Sequence, residues 1–519
     1  MDLLDDDEYL YNPYSAAAAS DHDDDDDDPP EDEQAYGGGG DAEPPGSGIF
    51  SLRNAGWKAK ARGGSRIKHL VAASGTLYAA TDRGRVIRWN PQSGDEQEIV
   101  IERGGHDVIY KLYVQPGGHH LLIGGNQGDN WYVHLARSLK PRPVPMSKGP
   151  RVESVCWDRD GADEVSTGEF LVGTSTGTMC KALIADGKDR YWKVVYSLQD
   201  SAQPICGIEY ELFPPSGRHV IEGIRKYFVM AATPTRYYEF IGGPTYDALF
   251  EQYSAAPNFV ELPGDLDYTE LEFFRKGSGR ATSFVWLTGP GIYSGSLSFG
   301  SQNAGDSVTF DYKLIPYSTK GGNSGGYQVP VGLVSSEFHW IALFEDRVQA
   351  VNRLTQQTVW EHAFTQQQVY GDMIGMCRDA GTGKCWIYSG FLVNEVLVTA
   401  EDQNIWRCYL SMGKYDTALL YCQTLEQRER VLTAQADHYY QEGQWELAAT
   451  IYAKTHRSFE EVTLGFITLG EKGALKRYLS DKLDNIRGTD RTQLTMICTW
   501  LCEMYLDKLN SVKGGGIDR

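Results

Sequence analysis

Cys498 and Cys502 stand four residues apart, the spacing at which two thiolates on one helix face hold half of a zinc site. The nine cysteines, at 156, 180, 206, 377, 385, 408, 422, 498 and 502, contain no Cys-x-x-Cys pair to supply the other half. The pair is therefore expected to be two buried or half-buried thiols on a helix. His119 and His120 follow Pro-Gly-Gly and read as loop residues, without the partners a metal would need. "GTGKC" at 381–385 carries the Gly-Lys of a phosphate loop, but position 378, where that motif needs glycine, is arginine. Cys385 also replaces the Ser or Thr that would bind a metal ion, so the stretch reads as a turn. One segment keeps a chemical role open. "RSLKPRPVPMSKGPR" at 137–151 carries Arg137, Lys140, Arg142, Lys148 and Arg151 with no acid. It could meet an anionic membrane surface, where each basic residue adds about 1 kcal/mol, or serve as a solvated connection. No catalytic, cofactor or metal residue is assigned, and no cofactor is expected.

The charge balance narrows the partners. The 519 residues have a net charge of −21, but residues 1–48 hold 17 Asp or Glu and no Lys or Arg. Without them the body has 53 acidic against 49 basic residues and is nearly neutral. Neither nucleic acid nor a small-molecule substrate is expected to bind. Residues 1–48, with "DHDDDDDDPP" and "GGGGDAEPPGSG", are expected to form a disordered acidic tail. That tail either recruits a basic surface or only solvates the chain. The N-terminus is acidic where a signal peptide would be basic. No apolar run approaches the ~18 residues of a membrane span. With scattered cysteines and no Asn-x-Ser/Thr sequon, this predicts a cytosolic protein.

The elements behind these residues repeat. Between 49 and 400, an apolar strand, a tight turn and a second strand recur seven times. The copies begin at "LYAATDRGRVIRWN" (77) and "LLIGGNQGDNWYVHL" (121), then at 170, 228, 284 and 338, and end with "WIYSGFLVNEVLV" (386). A period near fifty predicts a seven-bladed β-propeller over 49–400, since a lone four-stranded sheet cannot bury both faces. The rival is a double sheet of seven hairpins, whose strands would turn every ~8–12 residues. "YDALFEQYS", within the longest insertion, is expected to form a short helix. The Ser-x-Asp-x-Gly-x-Thr-Trp boxes of sialidase-type propellers are absent.

From 401 to 519 the period becomes helical. "YLSMGKYDTALLYC" at 409 and "YYQEGQWELAATIY" at 439 align Gly413 with Gly443, Tyr415 with Trp445 and Ala418 with Ala448. A looser third copy, "FITLGEKGALKRYL", places Gly470 in the turn. The glycine ends one helix and the aromatic starts the next, predicting an α-solenoid of helical hairpins. Ser458 and Glu461 have capping-box spacing, which starts a helix at Ser458. The last helix, about 491–508, places Leu494, Ile497, Leu501 and Tyr505 on one face. No polar capping repeat follows it, which suggests a fragment or a docked end.

Three stretches carry a resemblance: "ALFEDRVQAVNRLTQQTVWE" (342–361), "EDQNIWRCYLSMGKYDTALLYC" (401–422) and "GQWELAATIYAKTHRSFEEVTLGFITLGEKGALKRYLSDKL" (443–483). They resemble the vacuolar protein sorting-associated protein 18 (deep orange) family, weakly through the propeller and strongly from about 338 to 485. The resemblance implies a non-enzymatic scaffold subunit of the HOPS and CORVET complexes, which tether endosomal and vacuolar or lysosomal membranes before SNARE-driven fusion. It implies the other class C, HOPS and CORVET subunits as direct partners, with SNAREs and small GTPases reached indirectly. It also implies a cytoplasmic protein held peripherally on those membranes through its complex. Family members continue into a longer solenoid and a RING-type zinc domain; this chain shows neither, so ubiquitin-ligase activity is not carried over. A clathrin- or coatomer-like coat subunit shares the architecture and is the alternative.

Overall fold

The computed structural model describes residues 48–57, 64–101, 109–198, 202–214, 225–254, 257–264, 266–277, 279–300, 307–317, 328–366, 371–486 and 491–514. Residues 1–47 of the expected acidic tail lie outside the described residues.

Among the described residues, twenty-eight strands form seven four-stranded antiparallel sheets. The chain enters the ring one strand before its first complete blade. Numbered along the chain, β1 is Phe50–Asn54, and blade 1 comprises β2 (Ile67–Ala73), β3 (Thr76–Thr81), β4 (Arg85–Trp89) and β5 (Glu96–Val100). Blade 2 holds β6 (Ile109–Val114), β7 (His120–Gly125), β8 (Asn130–His134) and β9 (Ser138–Pro143). Blades 3 to 6 follow the same order, beginning at β10 (Val152–Cys156), β14 (Gly207–Leu212), β18 (Leu271–Arg275) and β22 (Gly332–Ser335). Blade 7 contains β26 (Met373–Arg378), β27 (Cys385–Ser389) and β28 (Val393–Val398), and takes β1 as its fourth strand. The repeated hairpins of the sequence are the second and third strands of every blade. Their turns use left-handed glycines where the sequence places them, Gly84 at φ 68° and Gly177 at φ 76°.

The first strands of neighbouring blades lie side by side and line the axis. An apolar core fills each of the seven blade interfaces. Tyr78 and Leu112 meet between blades 1 and 2, Phe228 and Phe273 between 4 and 5, and Trp340 and Leu287 between 5 and 6. Each fully buried aromatic of this kind contributes about 2–3 kcal/mol. These cores hold a ring that needs no central filling.

Ring closure joins the chain's first strand to its last propeller strand, with Phe50 opposite Val398 and Asn54 opposite Asn394. Arg53 Nε donates to the buried Glu395 carboxylate at 3.0 Å. Blade 7 is bound to blade 1 by Asp379. Its carboxylate accepts the amides of Ser74 (3.0 Å) and Gly75 (2.6 Å) across the interface, and those of Gly381 (2.9 Å) and Thr382 (3.2 Å) in its own turn. "GTGKC" is thus a turn built around a carboxylate.

Helix α1 (Tyr246–Glu251) is the short helix expected in the insertion, capped by Thr245. After the propeller come α2 (Ile405–Ser411), α3 (Tyr415–Leu420), α4 (Leu425–Gln441), α5 (Trp445–Tyr452), α6 (Phe459–Leu469), α7 (Lys472–Asn485) and α8 (Arg491–Gly514). Gly413, Gly443 and Gly470 end α2, α4 and α6 at φ 70°, 75° and 75°, and Tyr415 and Trp445 open α3 and α5. Ser458 caps α6 through the Glu461 amide, but the Glu461 carboxylate turns to Arg457 at 2.7 Å, so that box is half made. The complete box is Thr424 with Gln427, at the start of α4. Ala448, Phe466, Tyr478 and Ile497 share one core. On α8, Ile497 and Leu501 are buried and Leu494 is half-buried, whereas Tyr505 is exposed beneath the Lys476 ammonium, 4.0 Å from its ring centre.

Candidate interaction surfaces

The channel along the axis gathers several buried charged groups. Lys111, on β6, is 3.8 Å from the Glu153 carboxylate and 3.9 Å from the centre of the Tyr268 ring. Glu153, on β10, also accepts from Tyr110 Oη at 2.7 Å and from Arg151 Nε at 2.8 Å. Burial lowers the Lys111 pKa against the pull of Glu153. His69 Nδ1 accepts the Leu112 amide at 3.2 Å; burial, and then Lys111, push its pKa down to about 3, so the ring is neutral. Across the channel, Glu270 accepts the Leu333 amide at 2.7 Å, and burial raises its pKa to about 7. Glu272 faces Arg378 at 3.4 Å, and Arg275 lies 3.2 Å from Glu209 and 3.1 Å from Glu211. A cavity of about 570 Å³ opens among Glu209, Glu270, Glu272, Arg275 and Arg378. Acids and bases are interleaved around it, so its charges neutralise one another across the ring.

The five basic residues singled out in the sequence do not form one patch. Arg142 is half-buried, 2.6 Å from Asp189 of blade 3 and stacked 4.8 Å from the centre of the Tyr132 ring. Arg151 turns to Glu153 and the Tyr110 ring at the channel wall. Lys148 is exposed and 3.5 Å from Asp129. Arg137 and Lys140 stand exposed where the outermost strand of blade 2, β9, begins. Proximity in sequence did not reveal this division, because residues 144–151 leave the outer edge and run to the axis.

Other residues considered for chemistry are structural. His120 is not in a loop. It opens β7, fully buried, with Nδ1 2.7 Å from Tyr132 Oη and Nε2 2.7 Å from the Asp163 carbonyl. Two glycines place the turn ahead of the strand, and the ring is drawn into the interface between blades 2 and 3. Cys498 is half-buried, but Cys502, one turn on, is exposed, because the buried face of α8 follows Ile497 and Leu501. Among the described residues, no group of three or more His, Cys, Asp or Glu side chains is placed to hold a metal ion. No described helix is long and apolar enough to cross a membrane.

The arm root was not legible as a site in the sequence, although two of the three resemblance stretches build it. Glu401, in one stretch, accepts from Ser336 Oγ at 2.5 Å and from the Phe338 amide at 2.7 Å, immediately before the other. Asn352 Nδ2, in the blade stretch, lies 3.8 Å from Cys408 Sγ of α2. The Phe338 and Tyr421 rings meet edge to face at 5.4 Å.

Comparison with known proteins matches two family models in succession along the chain. The Pep3/Vps18/deep orange beta-propeller family model matches residues 48–398, and the model for the first half of the VPS18 alpha-solenoid domain matches 410–518. Vacuolar sorting protein 18 of Arabidopsis thaliana is 35% identical over 459 residues, covering 85% of this chain and 45% of that protein. The vacuolar protein sorting-associated protein 18 homolog of Danio rerio is 29% identical over 470 residues, covering 86% and 46%. Vacuolar membrane protein pep3 of Schizosaccharomyces pombe is 24% identical over 418 residues, covering 78% and 43%. The chain spans about half the length of these relatives. With a propeller matched along its whole length and the first helices of the arm matched after it, the chain belongs to the Pep3/Vps18/deep orange family.

Proposed function

We propose that this chain is the propeller and arm root of a non-enzymatic scaffold subunit in vacuolar protein sorting, working within the HOPS and CORVET membrane-tethering complexes. The observation that carries this reading is the match of both the propeller and the arm to one family whose relatives are named for vacuolar sorting. The channel supports a scaffold role: its carboxylates are held by backbone amides and arginines. The propeller serves as a binding head, the helices begin an arm, and the partners are other tethering subunits, with SNAREs and small GTPases reached through them. The protein is cytoplasmic and lies peripherally on endosomal and vacuolar or lysosomal membranes through its complex. Arg137 and Lys140 are its proposed contacts with anionic lipid; Lys148 faces Asp129 instead, and Arg142 and Arg151 are turned into the fold. Reversing Arg137 and Lys140 together should weaken binding to phosphatidylserine vesicles, and unchanged binding removes that contact.

The main test is a pull-down from cytosol with residues 49–519 as bait, read by mass spectrometry. Recovery of tethering subunits supports the proposal. Recovery of coat subunits in their place promotes the clathrin- or coatomer-like reading, which rests on shared architecture alone.

A further inference from the structure

The turn at residues 335–339 joins the first two strands of blade 6 and is tied to three blades. The Ser335 amide donates to Glu272 of blade 5 at 2.6 Å, and its carbonyl accepts from Arg378 of blade 7 at 2.9 Å. Arg353 donates to the carbonyls of Ser336 and Glu337 at 3.0 and 3.1 Å, and reaches Ser283 Oγ of blade 5 at 2.6 Å. The arm docks on this braced turn. One oxygen of Glu401, four residues before α2, accepts from Ser336 Oγ and the Phe338 amide and lies 2.9 Å from His339 Nδ1. Burial opposes its charge, yet His339, Ser336 and the Phe338 amide together hold its pKa below the usual carboxylate range. Tyr421, at the end of α3, packs edge-on against Phe338 and stacks on Tyr409 of α2 at 5.5 Å.

The connection itself is fastened at successive residues. The Thr399 amide donates to the Ile49 carbonyl at 2.8 Å, Gln403 to Ala400 at 3.0 Å and Ile405 to Asp402 at 3.1 Å. A swinging linker would leave such groups to water. We infer that Glu401 is a latch that makes the propeller and the root of the arm one rigid lever, with the arm held against blade 6 in a single direction. Removing the carboxylate strands buried donors on the turn. The turn itself stays braced by Glu272, Arg353 and Arg378, so the loss falls on the joint and spares the blade. Tyr421 provides the second hold.

The test is a spin-label distance measurement on the full chain. Labels go on Lys188→Cys, exposed on blade 3, and Lys454→Cys, exposed after α5, in a Cys502→Ser background. The native joint should give one narrow distance distribution, and Glu401→Ala should at least double its width. Glu401→Gln, which keeps an acceptor oxygen without the charge, should fall between. A native distribution as broad as that of Glu401→Ala, or a Glu401→Ala distribution as narrow as the native one, overturns the latch. A second label pair within the propeller, Lys188→Cys with Glu98→Cys, reports blade integrity. If that pair also broadens, Tyr421→Ala replaces Glu401→Ala with the same two opposed outcomes.

Discussion

Asp379 holds amides from two blades on one buried carboxylate. Asp379→Ala leaves those donors unpaired and is expected to cost roughly 3 kcal/mol, since hydrogen bonds to a charged acceptor are the strong ones. Chemical denaturation will show it as a lower midpoint; a change under about 0.5 kcal/mol would mean that water replaces the carboxylate. Two channel groups titrate in opposite senses. His69 is held neutral, with its pKa lowered from 6.5 to about 3, so its contribution is present above pH 6.5 and is lost as pH falls toward 3. Glu270 is raised from 4.5 to about 7, so stability is gained as pH falls from 7 to 4.5. Glu270→Gln should abolish that gain and leave the acid loss of His69 uncovered, which urea midpoints measured from pH 7 to 4.5 will reveal. None of these residues stood out in the sequence, because their roles depend on blades that meet in space. Asp379 and Ser74 lie 305 residues apart.

The elements were far more legible than the residues. The second strand of each blade is buried along nearly its whole length, which leaves a strong apolar signal; β7 and β27 are buried throughout. The first strands carry Lys111, Glu153 and Glu272 or their flanks into the channel, and this breaks the pattern. The fourth strands face water, as in β5 with four of its five residues exposed. The arm was legible for another reason: glycines at φ near 70° are required where a helix reverses, and they recur with the repeat. Gly443→Ala is expected to destabilise the arm by about 1 kcal/mol. An added Cβ would meet only the Trp445 ring, at 3.8 Å, so the penalty is one of backbone conformation. Thermal melts followed by circular dichroism at helix wavelengths test this, and an unchanged melt would show that the helix end adjusts.

At the scale of the molecule, the missing prediction was closure. Seven hairpins announce seven blades, but β1 belongs to a sheet whose other strands come far later, and five residues have no periodicity that points there. Phe50 anchors that strand among His339, Trp360 and the core between blades 6 and 7. Phe50→Ala is expected to cost about 3–5 kcal/mol. Deletion of residues 1–47 alone should leave the propeller melt unchanged, so a scan of the two variants separates strand from tail. A loss of stability in the tail deletion would give the acidic residues a structural role.

Closure by β1 also sets an order of events during synthesis. Arg53 and Glu395 are 342 residues apart. At about 5–20 residues per second, the first strand waits roughly 17–70 s on the ribosome before its partner emerges. Six blades can assemble in that interval while β1 and the exposed edge of the growing sheet stack remain available to wrong partners. The latch residue, Glu401, emerges just after Val398. Ring closure and arm attachment are therefore consecutive steps in translation, and the lever becomes rigid only once the ring is shut.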